Sequence, residues 1–135
     1  MTEQATATKR RLLIADDHGL MREVMACFLE GAPEFEVVAE AEDGREAVDL
    51  AGQLAPDMVL MDISMPRMSG YDAARAIRGA PWGRGMVLIA LTGWGRSTDL
   101  EQARAAGFDG HLLKPVEPDA LIRLISDLRA RRISP

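Results

Sequence analysis

Residues 58–70 read MVLMDISMPRMSG, a short apolar run that ends in one acidic residue and continues into a loop containing Pro66 and Gly70. The run lacks polar alternation, which is typical of a strand buried on both faces of a parallel sheet. Pro66 and Gly70 are interpreted as residues that shape the loop and support it structurally. Glycine permits backbone angles that other residues resist. Asp62 is therefore predicted at the carboxyl end of a buried strand.

Other short runs rich in Leu, Ile and Val predict four more strands, at Leu12–Ala15, Glu36–Ala41, Met86–Leu91 and His111–Leu113. Helical patterns separate the strands. In three helices, apolar residues recur at steps of three and four and are expected to face the core: Leu20, Val24, Cys27 and Phe28; Ala47, Leu50 and Leu54; Leu121, Leu124, Ile125 and Leu128. Two Ala-rich helices, around Ala73–Ile77 and Leu100–Ala106, are predicted mainly from their place in the alternation.

Five strand–helix repeats make a doubly wound α/β fold with right-handed crossovers the economical interpretation. A length of 135 residues with 47% hydrophobic residues is enough for one core. We expect a flexible tail at residues 1–10, one domain at 11–131 and a short tail at 132–135.

Composition limits the classes of partner. The formal net charge is -5 and the pI is about 5.0, so we expect no direct nucleic acid binding. The single cysteine, Cys27, excludes an internal disulfide, and a reducing cytoplasm fits best. No apolar run is long enough for a signal peptide or a membrane span.

Polar residues follow the predicted strands at the points where the strands end. Asp16 and Asp17 follow the first strand, Asp62 ends the third, and Thr92 and Lys114 follow the fourth and fifth. In an open parallel sheet these ends share one edge, where ligands bind. Two like charges at about 4 Å repel by about 4 kcal/mol at an effective dielectric near 20, so the carboxylates need a cation. Each Asp alone would fit a helix cap or a solvated loop. Together the five side chains predict one binding site, in which Lys114 supplies a positive charge and the carboxylates bind a hard divalent ion such as Mg²⁺.

Four stretches carry a resemblance to a known family: LLIADDH at 12–18, VLMDISMPRMSG at 59–70, IALTG at 89–93 and HLLKPV at 111–116. They resemble the signature segments of the CheY-like receiver domain of response regulators, the phosphorylated module of bacterial two-component signalling. The resemblance runs from about Arg11 to Arg129. It implies a flavodoxin-like (βα)5 fold, with a five-stranded parallel sheet of order 2-1-3-4-5 and helices on both faces.

The resemblance also implies roles for the strand-end residues. Asp62 resembles the phosphoacceptor, which takes a phosphoryl group from a sensor histidine kinase or a histidine phosphotransfer protein. Mg²⁺ or Mn²⁺ would be bound by Asp17, Asp62 and the backbone carbonyl of Ser64, while Asp16 would act through a metal-bound water. Such a domain catalyses only its own phosphorylation and dephosphorylation, and is otherwise not an enzyme.

Two more residues would make the site a switch. Lys114 would pair with one phosphoryl oxygen, and the Thr92 hydroxyl would donate to another and draw its loop inward. His111 stands where the family places an aromatic switch residue, although it could also be a surface histidine on an edge strand. The readout face would be formed by the fourth helix, the fifth strand and the fifth helix, and a downstream effector protein would bind there.

Three other positions leave alternatives open. Ser64 and Trp94 flank the path of the hydrolytic water in the family, so Trp94 either tunes the lifetime of the acyl phosphate or packs on the rim as a partner contact. Pro115 follows a cis peptide bond in many receivers, but an ordinary trans proline that starts a loop is the alternative. His18, with no second histidine beside it, is interpreted as a solvated loop residue.

Two other functions compete with phosphorylation. A pseudo-receiver would keep the fold as an interaction module without phosphorylation, which the intact set of five residues disfavours. A phosphatase of the haloacid dehalogenase type would need an Asp-x-Asp pattern on the first strand and a longer chain, whereas Asp16 and Asp17 are adjacent. We expect a monomer or weak dimer that is either a stand-alone regulator or a receiver from a hybrid kinase.

Overall fold

The computed structural model describes residues 10–32, 34–93, 97–114 and 116–133. Strands and helices alternate in these ranges: β1 (Arg10–Ala15), α1 (Gly19–Glu30), β2 (Phe35–Ala41), α2 (Gly44–Leu54), β3 (Met58–Asp62), α3 (Gly70–Gly79), β4 (Val87–Thr92), α4 (Ser97–Ala106), β5 (Gly110–Leu113) and α5 (Pro118–Ile133). A short 3-10 helix at Pro81–Gly83 lies between α3 and β4. Every predicted strand is present, with ends shifted by at most two residues. No described helix is long and apolar enough to cross a membrane.

The ends of the domain differ slightly from the expected limits. β1 begins at Arg10, one residue before the expected domain start, and Arg10 pairs with Phe35 of β2. At the other end, α5 continues to Ile133, two residues past the expected limit. The remainder of the expected tails 1–10 and 132–135, namely residues 1–9 and 134–135, lies outside the described residues.

The strands form one parallel sheet in the order β2-β1-β3-β4-β5, which confirms the expected order 2-1-3-4-5. The chain crosses in one direction from β1 to β2 and in the other from β3 to β5. Crossovers therefore diverge between β1 and β3, where open α/β sheets form their binding crevice. Ala15 lies opposite Met61 in this pair, so Asp16 and Asp62 leave the sheet side by side.

Two apolar layers cover the sheet. Residues such as Leu13, Val59 and Leu88 face α2, α3 and α4, where the buried helix residues are mostly alanines. Residues such as Leu12 and Leu60 face the larger side chains of α1 and α5. Because both faces are covered, β1, β3 and β4 are almost fully buried, as their continuous apolar runs predict.

The prediction of which face of α1 contacts the core is wrong. Leu20 is 76% exposed and Val24 is 53% exposed, whereas Met25 and Leu29 are buried. Apolar residues occupy most of the circumference of α1, so spacing alone could not distinguish the face that contacts the sheet. As a result, α1 presents an apolar face to solvent.

Side-chain caps set where α2 and α3 begin. Asp43 accepts a hydrogen bond from the backbone N–H of Glu46 at the start of α2, and Ser69 accepts one from Asp72 at the start of α3. Each cap satisfies a backbone donor that the first helical turn leaves without a partner. The caps therefore fix both helices that flank the loop after Asp62.

Candidate functional site

The carboxyl edge of the sheet gathers the polar residues that follow β1, β3, β4 and β5. Asp16 is fully buried after β1, Asp62 is 5% exposed at the end of β3, and Thr92 is 6% exposed at the end of β4. One ligand atom from each of Asp16, Asp17, His18 and Asp62 lies within 4.8 Å of the others. The structure thus brings the acidic residues together at the crevice between β1 and β3.

Lys114 reaches into this acidic group from the end of β5. Its Nζ donates to Asp16 Oδ2 at 2.8 Å and lies 3.3 Å from Asp62 Oδ2. The ammonium group is held between two buried carboxylates, where a charge-assisted bond is stronger than at the surface.

The pKa values of Asp62 and Lys114 are both raised above their ordinary values. Burial raises the pKa of Asp62, and the charge of Asp16 raises it further, although Lys114 and the Ser64 N–H act in the opposite direction. Burial alone would lower the pKa of Lys114, but its bond to Asp16 and the charge of Asp62 raise it above the usual value. One lysine therefore does not fully compensate the buried carboxylates.

A divalent ion fits this donor set. The carboxylates offer hard oxygen ligands at one point. The raised pKa of Asp62 means that its charged form is disfavoured, and a bound cation would stabilise that charged form. The Ser64 backbone lies next to Asp62, since its N–H donates to Asp62 Oδ1 at 3.4 Å. Asp16, Asp17 and Asp62 are thus suitably placed as ligands or as partners of metal-bound water, and the Ser64 backbone lies beside them.

An open cavity of about 410 Å³ lies over Asp62. It is lined by His18, Asp62, Ile63, Ser64, Tyr71, Thr92, Gly93, Gln102 and Lys114. The Asp62 carboxylate is thus buried at the floor of a space that opens to solvent.

Some residues at the site were not predicted from the sequence, and one, His18, was interpreted differently. Tyr71 and Gln102 line the cavity from α3 and α4, and no motif identifies them. His18 is 71% exposed, but its Nδ1 lies 3.2 Å from Asp16 Oδ1 and 3.3 Å from Asp17 Oδ1, so it is more than a solvated loop residue. Arg22, one turn into α1, donates from Nη1 to the backbone carbonyl of Asp16 at 2.6 Å.

Gly70 explains the shape of the loop after Asp62. A Cβ at this position would lie 2.4 Å from the Asp62 carbonyl oxygen, so glycine is required where α3 starts against the end of β3. The Gly70 N–H donates to the carbonyl of Ile63 at 2.8 Å, and the Pro66 carbonyl accepts from Met68 at 2.7 Å. These contacts hold the loop against the end of β3.

The predicted switch residue His111 lies apart from the acidic group. It is exposed on β5, opposite Ala90, and lines a cavity of about 80 Å³ with Leu100 and Phe108. Trp94 and Pro115 lie outside the described residues.

The sheet order and the acidic pocket with its lysine define the class of CheY-like receiver domains. The chain belongs to the response regulator receiver domain family, whose model matches residues 12–126. It is a signalling domain rather than an ordinary enzyme.

Several individual proteins are similar to the chain. It is 38% identical over 126 residues to the transcriptional regulatory protein DegU of Brevibacillus brevis, covering 93% of the chain and 52% of DegU. It is 35% identical to the chemotaxis protein CheY of Halobacterium salinarum over 88% of the chain and 96% of CheY. The receiver domain of the putative response regulator NarL of Mycobacterium tuberculosis superposes with a TM-score of 0.83 and 30% identity, covering 90% and 96% of the two chains. The chain spans about half the length of the first curated relatives that it matches.

Proposed function

We propose that this domain accepts a phosphoryl group on Asp62 from a phosphohistidine of a sensor histidine kinase or a histidine phosphotransfer protein, in a reaction that needs Mg²⁺ or Mn²⁺. One observation carries the proposal: the buried Asp62 carboxylate lies at the floor of an open cavity, 3.3 Å from Lys114 Nζ and beside further carboxylates. A nucleophile, a fixed cation and candidate metal ligands are the parts that phosphoryl transfer requires.

The residues have separate tasks in this reaction. A carboxylate oxygen of Asp62 forms the new bond to phosphorus while the phosphorus–nitrogen bond to the donor imidazole breaks. The imidazole takes the bonding electron pair and leaves. Lys114 and the Thr92 hydroxyl bind equatorial phosphoryl oxygens, and bound Mg²⁺ would neutralise charge on the same group. Ser64 and Trp94 control how water reaches the acyl phosphate afterwards.

Phosphorylation then acts as a switch. The group adds a charge of roughly -1.5 to -2 if it behaves as a phosphomonoester, and Thr92 is drawn toward it. Moving a population from 1:99 to 99:1 takes about 5.5 kcal/mol, to which the new bonds from Thr92 and Lys114 contribute. We propose that His111, which is exposed in this structure, turns inward as Thr92 moves. The changed α4-β5-α5 face then binds the effector.

The donor protein is proposed to bind over α1. Leu20 and Val24 are exposed there and line an apolar cavity of about 480 Å³. His18 and Lys114 line both this cavity and the one above Asp62, so a partner on α1 reaches the acceptor directly. We further propose a cytoplasmic monomer or weak dimer that makes no direct contact with nucleic acid.

Intact mass spectrometry tests the proposed function. Incubation with MgCl2 and either acetyl phosphate or phosphoramidate should add the mass of one phosphoryl group, and EDTA should prevent the addition. Asp62→Asn should abolish the adduct, whereas Asp72→Asn, which changes an exposed carboxylate on α3, should not. No adduct on the wild-type chain would favour the pseudo-receiver, and an adduct that survives Asp62→Asn would show that another residue is the acceptor.

A further inference from the structure

The loop after the phosphoacceptor, residues 63–69, contains an unusual backbone conformation at Arg67. Its φ is +66°, in the left-handed region that a residue with a side chain rarely adopts. Glycine would adopt this conformation without strain. Arginine at this position therefore carries a backbone strain that glycine would avoid, and the contacts of its side chain bear on why.

The Arg67 side chain crosses to the start of α2. Its Nε donates to Asp43 Oδ2 at 2.8 Å, and Asp43 is 6% exposed. The other carboxylate oxygen, Oδ1, accepts the backbone N–H of Glu46 at 2.8 Å. Bonds from Glu46 and then Arg67 lower the pKa of Asp43. Both oxygens of one buried carboxylate are therefore engaged, one within α2 and one with the loop.

The loop backbone also packs tightly on this helix start. A Cβ at Gly44 would lie 2.1 Å from the Met68 carbonyl oxygen, so the loop contacts α2 without any intervening side chain. The two ends of the loop also meet, since the Gly70 N–H donates to the Ile63 carbonyl and Gly70 packs against the Asp62 carbonyl. Ser64 lies between these two anchor points, with its N–H directed at Asp62 Oδ1.

We propose that Arg67 and Asp43 form a latch that positions the loop, and with it the Ser64 backbone, for metal binding and phosphoryl transfer at Asp62. The inference rests on the proposed function. Arg67 and Asp43 are positioning residues, since neither belongs to the group of residues whose ligand atoms converge at Asp62. Their bond restrains the loop before the metal arrives, which lowers the ordering cost of binding.

Glycine at position 67 separates the latch from simple tolerance of strain. Arg67→Gly removes both the ion pair and the backbone strain, so relief of strain alone predicts unchanged or tighter metal binding. Glycine also adds chain freedom to the loop, and Asp43→Asn controls for this because it breaks the pair without changing the loop backbone. The latch predicts weaker binding: calorimetric titration with MgCl2 should show a Kd increased by up to about 10-fold. Residues bonded directly to metal ligands have effects of about 10-fold or more, and Arg67 and Asp43 act one contact further out, through the loop. Asp43→Asn keeps the cap on α2 and should give a similar increase.

Three further measurements complete the test. The double variant Asp43→Asn, Arg67→Gly should be no worse than Arg67→Gly alone, because both changes break one contact. Arg67→Lys, which keeps the charge, should recover part of the affinity. Hydrogen exchange of metal-free protein should be faster at residues 63–69 in Arg67→Gly. Arg75→Ala, which breaks an exposed ion pair with Asp72 on α3, is the matched control and should change none of these values.

The outcomes distinguish the two proposals. Normal phosphorylation of the wild-type chain with an unchanged Mg²⁺ Kd in Arg67→Gly would overturn the latch and leave the proposed function intact. A variant with lower stability but unchanged Kd would overturn the latch as well, since the pair would then be merely structural. A wild-type chain that binds no Mg²⁺ and forms no adduct would overturn both.

Discussion

Asp62 sits in an environment that disfavours its own charge. It is buried, it lies beside Asp16, and Lys114 is shared between the two carboxylates. The pKa of Asp62 is raised above its ordinary value, which means that folding stabilises its neutral form relative to its charged form. In metal-free protein the charge on Asp62 therefore lowers the free energy of unfolding. A bound divalent ion or a neutral side chain at this position would remove that destabilisation.

Removing this charge should stabilise the metal-free fold. Asp62→Asn is expected to raise the free energy of unfolding in EDTA by up to about 1 kcal/mol, because solvent screens part of the repulsion. Urea denaturation measures the change, and Asp72→Asn is the exposed control.

The pH dependence follows from the raised pKa. The cost exists while Asp62 is charged, above its folded pKa, and disappears as the pH falls through that value. The difference between Asp62→Asn and wild type should therefore shrink with acidification. A difference that grows at low pH would contradict this account of the site.

The exposed face of α1 lies beside the pocket over Asp62, so the proposed donor contact can be changed without changing the pocket itself. Leu20 is 76% exposed, so changing it costs little burial, yet it lies next to the cavity that shares His18 and Lys114 with the site. A small phosphodonor enters the open pocket without touching this face. A donor protein must cover it if it binds as proposed.

Leu20→Glu should therefore affect only transfer from a protein. Its phosphorylation by acetyl phosphate should match that of the wild type, while transfer from the cognate kinase should fall about 10-fold, as for one important interface residue. Ala76→Glu, at an exposed position on α3, is the control. Equal kinase transfer to Leu20→Glu and the wild type would remove α1 from the donor surface.

The contact between α2 and the loop after Asp62 depends on the absence of a side chain at Gly44. Gly44→Ala would force a Cβ to within 2.1 Å of the Met68 carbonyl oxygen, so it should lower the free energy of unfolding by about 1–3 kcal/mol. Gly79→Ala is the matched control, because a Cβ at Gly79 meets nothing within 4 Å. Urea denaturation of both variants measures the difference, and equal stabilities would contradict the close approach.

On the scale of the whole molecule, Arg78 joins segments that are distant in the chain. Its guanidinium group donates to the backbone carbonyls of Gly83, Met86 and Gly107, and to Asp109 Oδ2 at 2.7 Å. Asp109 in turn accepts the backbone N–H of Leu88 on β4. One side chain thus connects the end of α3, the entry to β4 and the turn between α4 and β5.

Truncating this side chain should weaken the entire fold. Arg78→Ala removes a donor from several partly buried carbonyls and the charged partner of the Asp109 carboxylate, so we expect a loss of about 2–4 kcal/mol in the free energy of unfolding. Arg75→Ala, which breaks an exposed pair, should stay within about 0.5 kcal/mol of wild type by the same urea denaturation. A loss for Arg78→Ala no larger than this control would show that the carbonyls find other partners.

The strand pattern was readable from the sequence because the buried strands of a parallel sheet are continuously apolar. The order of the strands in the sheet was predicted only from the family resemblance, because apolar runs do not indicate which strands pair with each other. The error on α1 has a different origin: with apolar residues on most of its circumference, the helix has several possible core faces. Packing against β1 and β2 selects Met25 and Leu29.

The sequence by itself determined which polar residues end the strands, and from this the position of Asp16, Asp17, Asp62, Thr92 and Lys114 at one edge. Their separate roles in phosphorylation stay predictions. Only the tertiary structure decided the residues that act across the chain, such as Arg22 on the Asp16 carbonyl and Arg67 on Asp43. The physical reason is distance along the sequence: strand ends follow from local hydrophobic patterns, whereas a bond between a helix cap and a loop 24 residues away depends on how the elements pack.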